Sequence, residues 1–250
     1  MPQTMKPQHD VATAVNDKPI NIRPRVTWLS SMCLGLLMFF SQYVIATQLE
    51  TISVATSLNQ SSMSDRIEHK LRSAYLKLGY SMTVQRLPAG RSLIMANAGT
   101  FDAELFRIAE VGTQYPNLLK VPAALEQISL FAFVVKNPAN DYDDWQKNQK
   151  LRVAYVRGFK MAENYRYLGK PVAINTVTQG VQMLLQGKVD VLLEDPASVA
   201  SATIELRPDG QLQQLPAVLA TAELYHFVHK KHQHLIALLA AQLQSATATQ

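Results

Sequence analysis

Cysteine is nearly absent from this chain of 250 residues, because its one cysteine, Cys33, lies in an apolar run near the N-terminus. Residues 47–250 contain no thiol, which excludes disulfide bonds, thiolate catalysis and cysteine-based zinc sites from that part. Catalytic motifs are missing as well, since neither Gly-x-Ser-x-Gly nor His-Glu-x-x-His nor a phosphate-binding loop occurs. We therefore predict a protein that is not an enzyme and holds no cofactor.

Charged residues are also few, at 17% of the chain, and they leave a modest net charge of +5. Lysine and arginine are scattered, and no basic helix or aromatic–basic sheet motif occurs. This pattern predicts no nucleic-acid partner. Apolar residues make up 48% of the chain, which is typical of a globular protein with a sizeable core.

The N-terminal residues have the pattern of an export signal. A polar segment that ends in Arg23-Pro24-Arg25 is followed by the apolar run VTWLSSMCLGLLMFFSQYVIA. The positive flank, the apolar segment and the small residue Ala46 at its end predict a signal peptide over residues 1–46. The run also approaches the roughly 20 residues that span a bilayer, so an uncleaved membrane anchor is the alternative. With the signal cleaved, residues 47–250 are predicted to be periplasmic.

Strand and helix patterns alternate along the rest of the chain. The predicted strands are LETISVATSL, YSMTVQRLP, FDAELF, ISLFAFVVKN, LRVAYVRG, VAINTV, KVDVLLED and AELYHFVHK. The predicted helices are SDRIEHKLRSAYLKLG, GRSLIMANAG, FKMAENYRYLG, TQGVQMLLQG, PASVASATIELR and HLIALLAAQLQSA. Strands separated by helices of this length predict a parallel, doubly wound α/β sheet.

An internal repeat divides this pattern into two similar parts. Residues 93–105, LIMANAGTFDAEL, and residues 183–193, MLLQGKVDVLL, share one design. Each is an apolar helix stopped by a glycine, then two residues, an aspartate and a short strand. The glycine suits a left-handed position after the helix, and the aspartate lies where the loop enters the strand. We therefore predict two α/β lobes that are joined near residue 137.

The run from LETISVATSL through DVLLEDPASVA to LYHFVHKKHQHLIALL resembles the family 3 extracellular solute-binding proteins. These are the type II periplasmic binding proteins best known for binding polar amino acids. The order of elements, the paired helix–Gly–x–x–Asp–strand units and the closing strand and helix carry the resemblance, which covers nearly all of the exported chain.

The resemblance implies an α/β fold of the two-lobed type II periplasmic-binding-protein kind, in which each lobe is a mostly parallel sheet flanked by helices. In that family the second lobe interrupts the first. Residues 47–136 and 221–250 are then expected to form lobe 1, and residues 137–220 are expected to form lobe 2.

Two adjacent acids follow a buried strand in the segment GKVDVLLEDPASVA. The resemblance implies that Asp195, five residues after Asp190, binds the ammonium group of a ligand. Its position at the carboxyl end of a strand suits that role, and a carboxylate there forms charge-assisted hydrogen bonds. The alternative, compatible reading is that Asp195 caps the helix starting at Pro196. Glu194 points the other way by strand alternation, so we expect it at the surface or hinge.

Three places are candidates for binding the carboxylate of a ligand. Arg107, five residues beyond Asp102, either reaches the cleft or lies on a surface loop. The turn at Arg157 and Gly158 corresponds to one that, by the resemblance, offers backbone N–H groups to an anion. Arg91, just before a predicted helix, is the third candidate.

Histidines cluster near the C-terminus. Four of them invite a metal site, but the segment crosses a boundary between a strand and a helix, so their side chains should diverge. We therefore expect basic, exposed residues near a helix start and no metal site. The four residues are His226, His229, His232 and His234.

These patterns predict an exported, monomeric solute-binding protein that captures a small polar ligand, an amino acid or a related compound, by hinge closure between two lobes. An ABC permease or a membrane sensor is the expected partner. Two alternatives stay open: a signalling or accessory protein that presents a ligand to a membrane sensor, and a dehydratase-like enzyme of the same fold.

The export signal makes a prediction about the mature N-terminus. Because cleavage is expected after Ala46, N-terminal sequencing of protein from the periplasmic fraction should begin near Thr47. Protein that starts at Met1 and sediments with the membranes would instead establish the uncleaved anchor.

Overall fold

The structure, a computed structural model, describes residues 49–137, 142–206 and 210–247. Gln48–Gln250 forms one compact unit. The predicted signal peptide lies outside the described residues. None of the helices in the described ranges has both the length and the apolar character that a membrane span requires.

Nine strands and seven α-helices alternate along the described residues, with short 3-10 turns at Trp145–Lys147 and Lys230–His232. The strands are β1 Glu50–Ser57, β2 Tyr80–Leu87, β3 Ala103–Ile108, β4 Leu118–Val135, β5 Arg152–Val156, β6 Lys170–Ile174, β7 Val191–Glu194, β8 Leu212–Gln214 and β9 Ala220–His229. The helices are α1 Ser62–Lys77, α2 Ala89–Asn97, α3 Val111–Gln114, α4 Lys160–Asn164, α5 Val177–Leu185, α6 Pro196–Leu206 and α7 Leu235–Thr247.

The strands follow the order β2-β1-β3-β9-β4-β7-β5-β6, with β8 also paired to β4. Pairing is parallel for β1 with β2 and β3, and for β5 with β6 and β7, as the alternating pattern predicts. The antiparallel pairs all involve β4 or β9. We call β1–β3, β9 and the start of β4 the first half, and β5–β8 and the end of β4 the second half.

Strand β4 belongs to both halves because it is 18 residues long, or roughly 60 Å at the usual rise per residue. The sequence patterns predict only its second part, ISLFAFVVKN. Its first part contains Pro122, which has no N–H group to donate to a neighbouring strand. A proline within a segment argues against a strand, so the sequence patterns do not predict this part. The pairing with β9 shifts register between Lys120 and Ala124, and this irregularity accommodates the proline.

Helix α1 shows how local sequence determines where a helix begins and which of its faces is buried. Ser61 and Ser64 form a reciprocal capping box, in which the Ser61 hydroxyl accepts from the Ser64 N–H (3.2 Å) and the Ser64 hydroxyl accepts from the Ser61 N–H (2.9 Å). This box starts the helix two residues before the predicted position. Helical spacing predicts an apolar stripe of Ile67, Leu71, Ala74 and Leu78. The first three are buried, whereas Leu78 lies at the C-terminal cap and is half-buried.

Helix α4 is shorter than the predicted helix FKMAENYRYLG. It covers five residues, and Tyr165 then adopts an extended backbone. The rings of Tyr165 and Tyr167 pack on Trp145, with centroid distances of 6.2 Å and 6.1 Å. Burial of the Trp145 ring by these tyrosines therefore outweighs the local preference for a longer helix.

The predicted repeat is confirmed by matching contacts in the two halves. Gly99 and Gly187 have positive φ angles of 81° and 62°, as a left-handed position after a helix requires. The aspartate that follows each glycine binds the backbone of the neighbouring parallel strand. Asp102 accepts from the Ser53 N–H at 2.8 Å, and Asp190 accepts from the Arg152 N–H at 2.7 Å.

The described residues form two apolar cores. The larger one packs helices α1, α2 and α7 on the first half and continues into β5 and β7 through Val153, Val191 and Leu193. The smaller one packs α5 and α6 against β5 and β7. The larger core thus contains residues of both halves and marks no boundary between them. The lobe boundaries at residues 136/137 and 220/221 stay a prediction.

The aspartate contact of the first half makes a prediction about stability. Asp102 also binds Lys231 (Nζ to Oδ1, 2.6 Å) and His232 (Nε2 to Oδ1, 2.8 Å). Asp102→Ala leaves the Ser53 N–H, Lys231 and His232 without their acceptor. It should lower the free energy of unfolding by about 1–3 kcal/mol, measured by urea denaturation.

The matched control is Asp144→Ala, which removes an exposed carboxylate that pairs with Lys147 at 2.9 Å. Its side chain is 75% exposed, so the substitution should change stability by less than about 0.5 kcal/mol. Equal effects of the two substitutions would contradict the anchoring role of Asp102.

Candidate functional site

A small cavity lies where four strands end. Its wall contains the last residue of each of β1, β3, β5 and β7, namely Ser57, Ile108, Val156 and Glu194. These strands come from both halves, and the carboxyl ends of parallel strands are where ligands bind in open α/β sheets. The cavity has a volume of about 70 Å³. The candidate site is therefore built jointly by the two halves.

Most of the remaining wall is apolar. Met63 and Phe106 contribute from the first half, Met161 from the second, and Ile128 and Leu224 from the long strands β4 and β9. All five side chains are buried. Within such a wall each charged group is shielded from water, which makes the partners of every charge decisive.

Glu194 is a buried acid of this cavity, and its residue is only 2% exposed. Of the two positions expected for Glu194, the surface is wrong, and the hinge stays a prediction. Its Oε1 accepts from the Asp195 N–H at 3.0 Å, whereas its Oε2 has no hydrogen-bond partner among the described residues. Burial, with the negative charge of Asp195, raises the pKa of Glu194 well above its usual value.

Asp195 lines the same cavity and caps helix α6, because its Oδ1 accepts from the Ser198 N–H at 3.0 Å. The capping reading is confirmed, while ammonium binding by Asp195 stays a prediction. Strand alternation does not separate Asp195 from Glu194, contrary to our expectation. Strand β7 ends at Glu194, so the two-residue period no longer holds at the next position.

Arg107 lies on strand β3 in the cavity wall and not on a surface loop. Its Nη2 is 2.5 Å from Oε1 of Glu104 and 2.8 Å from the Ser92 hydroxyl. The β3–β9 pairing changes register between Glu104 and Arg107, which brings side chains three residues apart to the same face. Burial raises the pKa of Glu104 to about 7, although Arg107 and Ser92 oppose that rise.

Gly158 also lines the cavity and has a φ of 88°. A side chain there would come within 2.8 Å of Cβ of Ala89 and 2.9 Å of N of Gly90, so only glycine permits this approach to α2. Its N–H donates to Oε1 of Glu163 at 2.6 Å. The backbone donor predicted to receive a ligand anion is thus already bound.

The other two predicted cations do not line the cavity. Arg157 is exposed, and its N–H donates to the Ile174 carbonyl at 2.8 Å. Arg91 is exposed on α2. The structure thus brings Asp195, Arg107 and Gly158 together and leaves Arg157 and Arg91 apart.

Sequence reasoning missed two charged residues of the wall, Glu194 and Lys160, and the acids Glu104 and Glu163 that pair with its cations. Glu194 could have been found from the run VLLE, because an acid that ends a four-residue buried strand has no solvent to face. Lys160 lines the cavity, and its Nζ is 2.8 Å from Oε2 of Glu163. Glu163 could have been found from its place three residues after Lys160 in a predicted helix, the spacing of a helical ion pair. Glu104 carries no signal in the sequence, since its partner is set by a bulge.

The histidine cluster is not exposed throughout, contrary to our expectation, and the rings of His232 and His234 are neighbours with centroids 6.1 Å apart. His226 is fully buried, with its Nδ1 3.0 Å from the Leu105 carbonyl and its Nε2 2.7 Å from the Tyr75 hydroxyl. Burial lowers the pKa of His226 to about 4. His229 is buried as well. The described ranges contain no group of three or more His, Cys, Asp or Glu residues placed to hold a metal.

Comparison with known proteins identifies the type of fold. No protein-family model matches the chain. An uncharacterized protein of Shewanella oneidensis is 26% identical over 181 residues, which cover 68% of this chain and 67% of that protein. The substrate-binding protein of an amino acid ABC transporter superposes with a TM-score of 0.64 at 13% identity, covering 80% of this chain and 94% of that one. This chain has the type II periplasmic-binding-protein fold.

Two further solved structures share this binding-protein fold. A truncated, arginine-bound ArgBP from T. maritima has a TM-score of 0.65 at 13% identity, covering 78% of this chain and 96% of that one. A double mutant of the VFT2 domain of Bordetella pertussis BvgS has a TM-score of 0.60 at 16% identity, covering 78% and 87%. These matches confirm the two-lobed α/β fold class predicted from the sequence.

The buried state of Glu194 makes a prediction about pH. Its folded pKa is raised, so above pH 4.5 the unfolded chain loses this proton while the folded chain keeps it. The associated stability is full below that pH and is lost as pH rises toward the folded pKa, at about 1.4 kcal/mol per pH unit. Glu194→Gln should therefore flatten the fall in unfolding free energy between pH 5 and 8.

Urea denaturation at pH 5, 6, 7 and 8 measures this slope. Glu104 contributes equally in wild type and variant up to about pH 7, so the difference between the two curves isolates Glu194. Glu223→Gln, which removes an exposed acid of β9, is the control and should keep the wild-type slope. Identical slopes for wild type and Glu194→Gln would contradict the raised pKa.

Proposed function

We propose that this chain is an exported solute-binding protein that encloses a small polar ligand, an amino acid or a related amine, between its two halves by hinge closure. The observation that carries the proposal is the unpartnered Oε2 of buried Glu194 in a cavity walled by both halves. A buried polar atom without a partner is costly, and a ligand ammonium would provide a charge-assisted hydrogen bond there. Asp195 adds a second carboxylate beside it.

The comparisons support a binding role. Similar structures include a substrate-binding protein of an amino acid ABC transporter and an arginine-bound binding protein. We accordingly propose an ABC permease as the partner and a membrane sensor as the alternative. We also propose that the protein is exported to the periplasm, which the apolar segment before residue 47 supports, and that it acts as a monomer.

A second candidate is a dehydratase-like enzyme of the same fold. It is favoured by one observation: Glu194 combines burial, a raised pKa and a neighbouring carboxylate, which are the properties of a general acid. Loss of water from a small hydroxy acid on incubation with the protein, detected by mass spectrometry, would support this alternative. An unchanged panel of hydroxy acids leaves binding as the function.

A thermal-shift screen of the purified protein tests the binding function. The panel holds the common amino acids, simple amines, polyamines, small carboxylates and short peptides. A compound that binds only the folded form raises the melting temperature by mass action. We expect the shifts among amine-bearing compounds, and no shift with any of these would contradict the proposal.

The substitution Asp195→Asn tests whether the negative charge of Asp195 contributes to binding of a ligand ammonium group. Asparagine keeps an acceptor for the Ser198 N–H and is a good helix cap, so the unfolding free energy should change little. The affinity for an amine that binds should fall about tenfold or more, because a charge-assisted contact is lost. Titration calorimetry of Asp195→Asn, with Glu223→Gln as the control, measures this. Unchanged affinity would remove Asp195 from the site.

A further inference from the structure

The cations of the cavity are already neutralised by the protein itself. Two cationic side chains of the described residues line it, Arg107 and Lys160. Arg107 is 2.5 Å from Oε1 of Glu104, and Lys160 is 2.8 Å from Oε2 of Glu163. A ligand carboxylate would have to compete with a carboxylate that is tethered in place.

The backbone donor of the wall is occupied too. Oε1 of Glu163 accepts from the Gly158 N–H at 2.6 Å, while its Oε2 holds Lys160. The Glu163 side chain thus fills the position in which an external anion would meet both a cation and an N–H group. Displacing it would break two charge-assisted contacts at once.

Two unpartnered atoms of the first half belong to one ion pair. Nε of Arg107 and Oε2 of Glu104 are both buried without a hydrogen-bond partner among the described residues. Nη2 of Arg107 lies 2.5 Å from Oε1 of Glu104, so the two side chains neutralise each other and add no net charge to the cavity.

The acidic side of the cavity has no cationic partner among the described residues, and the Asp195 carboxylate beside Glu194 adds to the raised pKa of that group. No salt bridge within the described ranges joins Glu194 or Asp195 to a cation. Oε2 of Glu194 is the unpartnered atom that remains in the wall. The unbalanced groups of the cavity are thus acidic, and they select a cation.

We propose that the ligand is a small organic amine with an apolar body and no carboxylate. This inference rests on the proposed binding function and narrows its ligand class. The ammonium group binds Glu194 and Asp195, and the body contacts the apolar wall formed by residues such as Met63 and Phe106. The volume of about 70 Å³ limits that body to a few carbon atoms, since roughly 150 Å³ holds a benzene molecule.

Matched pairs of amine and amino acid test the inference by titration calorimetry on the purified protein. The pairs are ethylamine with alanine, propylamine with 2-aminobutyrate, and isobutylamine with valine, so that each differs only by the carboxylate. Measurements at pH 8 lie above the pKa of Glu104, which keeps its ion pair with Arg107 charged. In at least one pair the amine should bind ten times more tightly than the amino acid.

Each outcome of this comparison decides a different point. Equal or tighter binding of the amino acids would overturn the exclusion of carboxylates while leaving the solute-binding function standing. Absence of binding by all six compounds, together with an empty thermal-shift screen, would overturn both.

Glu163→Ala tests the cause of the exclusion. It frees the Gly158 N–H and Lys160, so the affinity for the amino acid of the binding pair should rise at least tenfold, with the amine little changed. Asp144→Ala is the matched control, because it breaks another lysine–carboxylate pair three residues apart, outside the cavity. It should change neither affinity. An unchanged amino-acid affinity in folded Glu163→Ala, verified by circular dichroism, would overturn the role of Glu163.

Discussion

The antiparallel pairing of β4 with β9 is the constraint on which the rest of the structure depends. Strand β4 pairs with β9 over its first part and with β7 and β8 over its last part, so one strand carries the ladder from one half to the other. Ile128 of β4 and Leu224 of β9 form part of the cavity wall. The space between the strand ends exists because these two strands cross both halves.

Inside that space, low polarity makes the pairing of charges the main determinant of what can bind. Glu104 and Glu163 satisfy the cations Arg107 and Lys160 from within the chain. The same apolar surroundings, together with the charge of Asp195, raise the pKa of Glu194 and so favour its neutral form. A ligand ammonium would favour the ionised form instead, which would couple binding to the release of a proton.

Particular residues show why parts of the site could be predicted and others could not. The helix-capping contact of Asp195 could be predicted from local sequence, because an aspartate followed by a proline is favoured at the start of a helix. Its position after a buried strand also predicted that it lies at the end of the sheet. The surface position expected for Glu194 was wrong, because alternation along a strand says which face a side chain takes and not whether that face is covered. His226 was misjudged for the same reason, since α1 covers it with Tyr75.

The sequence by itself determined the alternation of strands and helices, the repeated glycine–aspartate units and the α/β fold class, because these follow from periodicity and turn chemistry between near neighbours. Tertiary structure alone decided that Arg107 meets Glu104 and that the turn at Gly158 lies against α2. The bulge in β3 arises in its pairing with β9 and turns Arg107 toward Glu104, while Ala89 and Gly90 of α2 leave no room for a side chain at Gly158. Both depend on elements that are remote in the chain, and the direction of a side chain at such an irregular point does not follow strand periodicity.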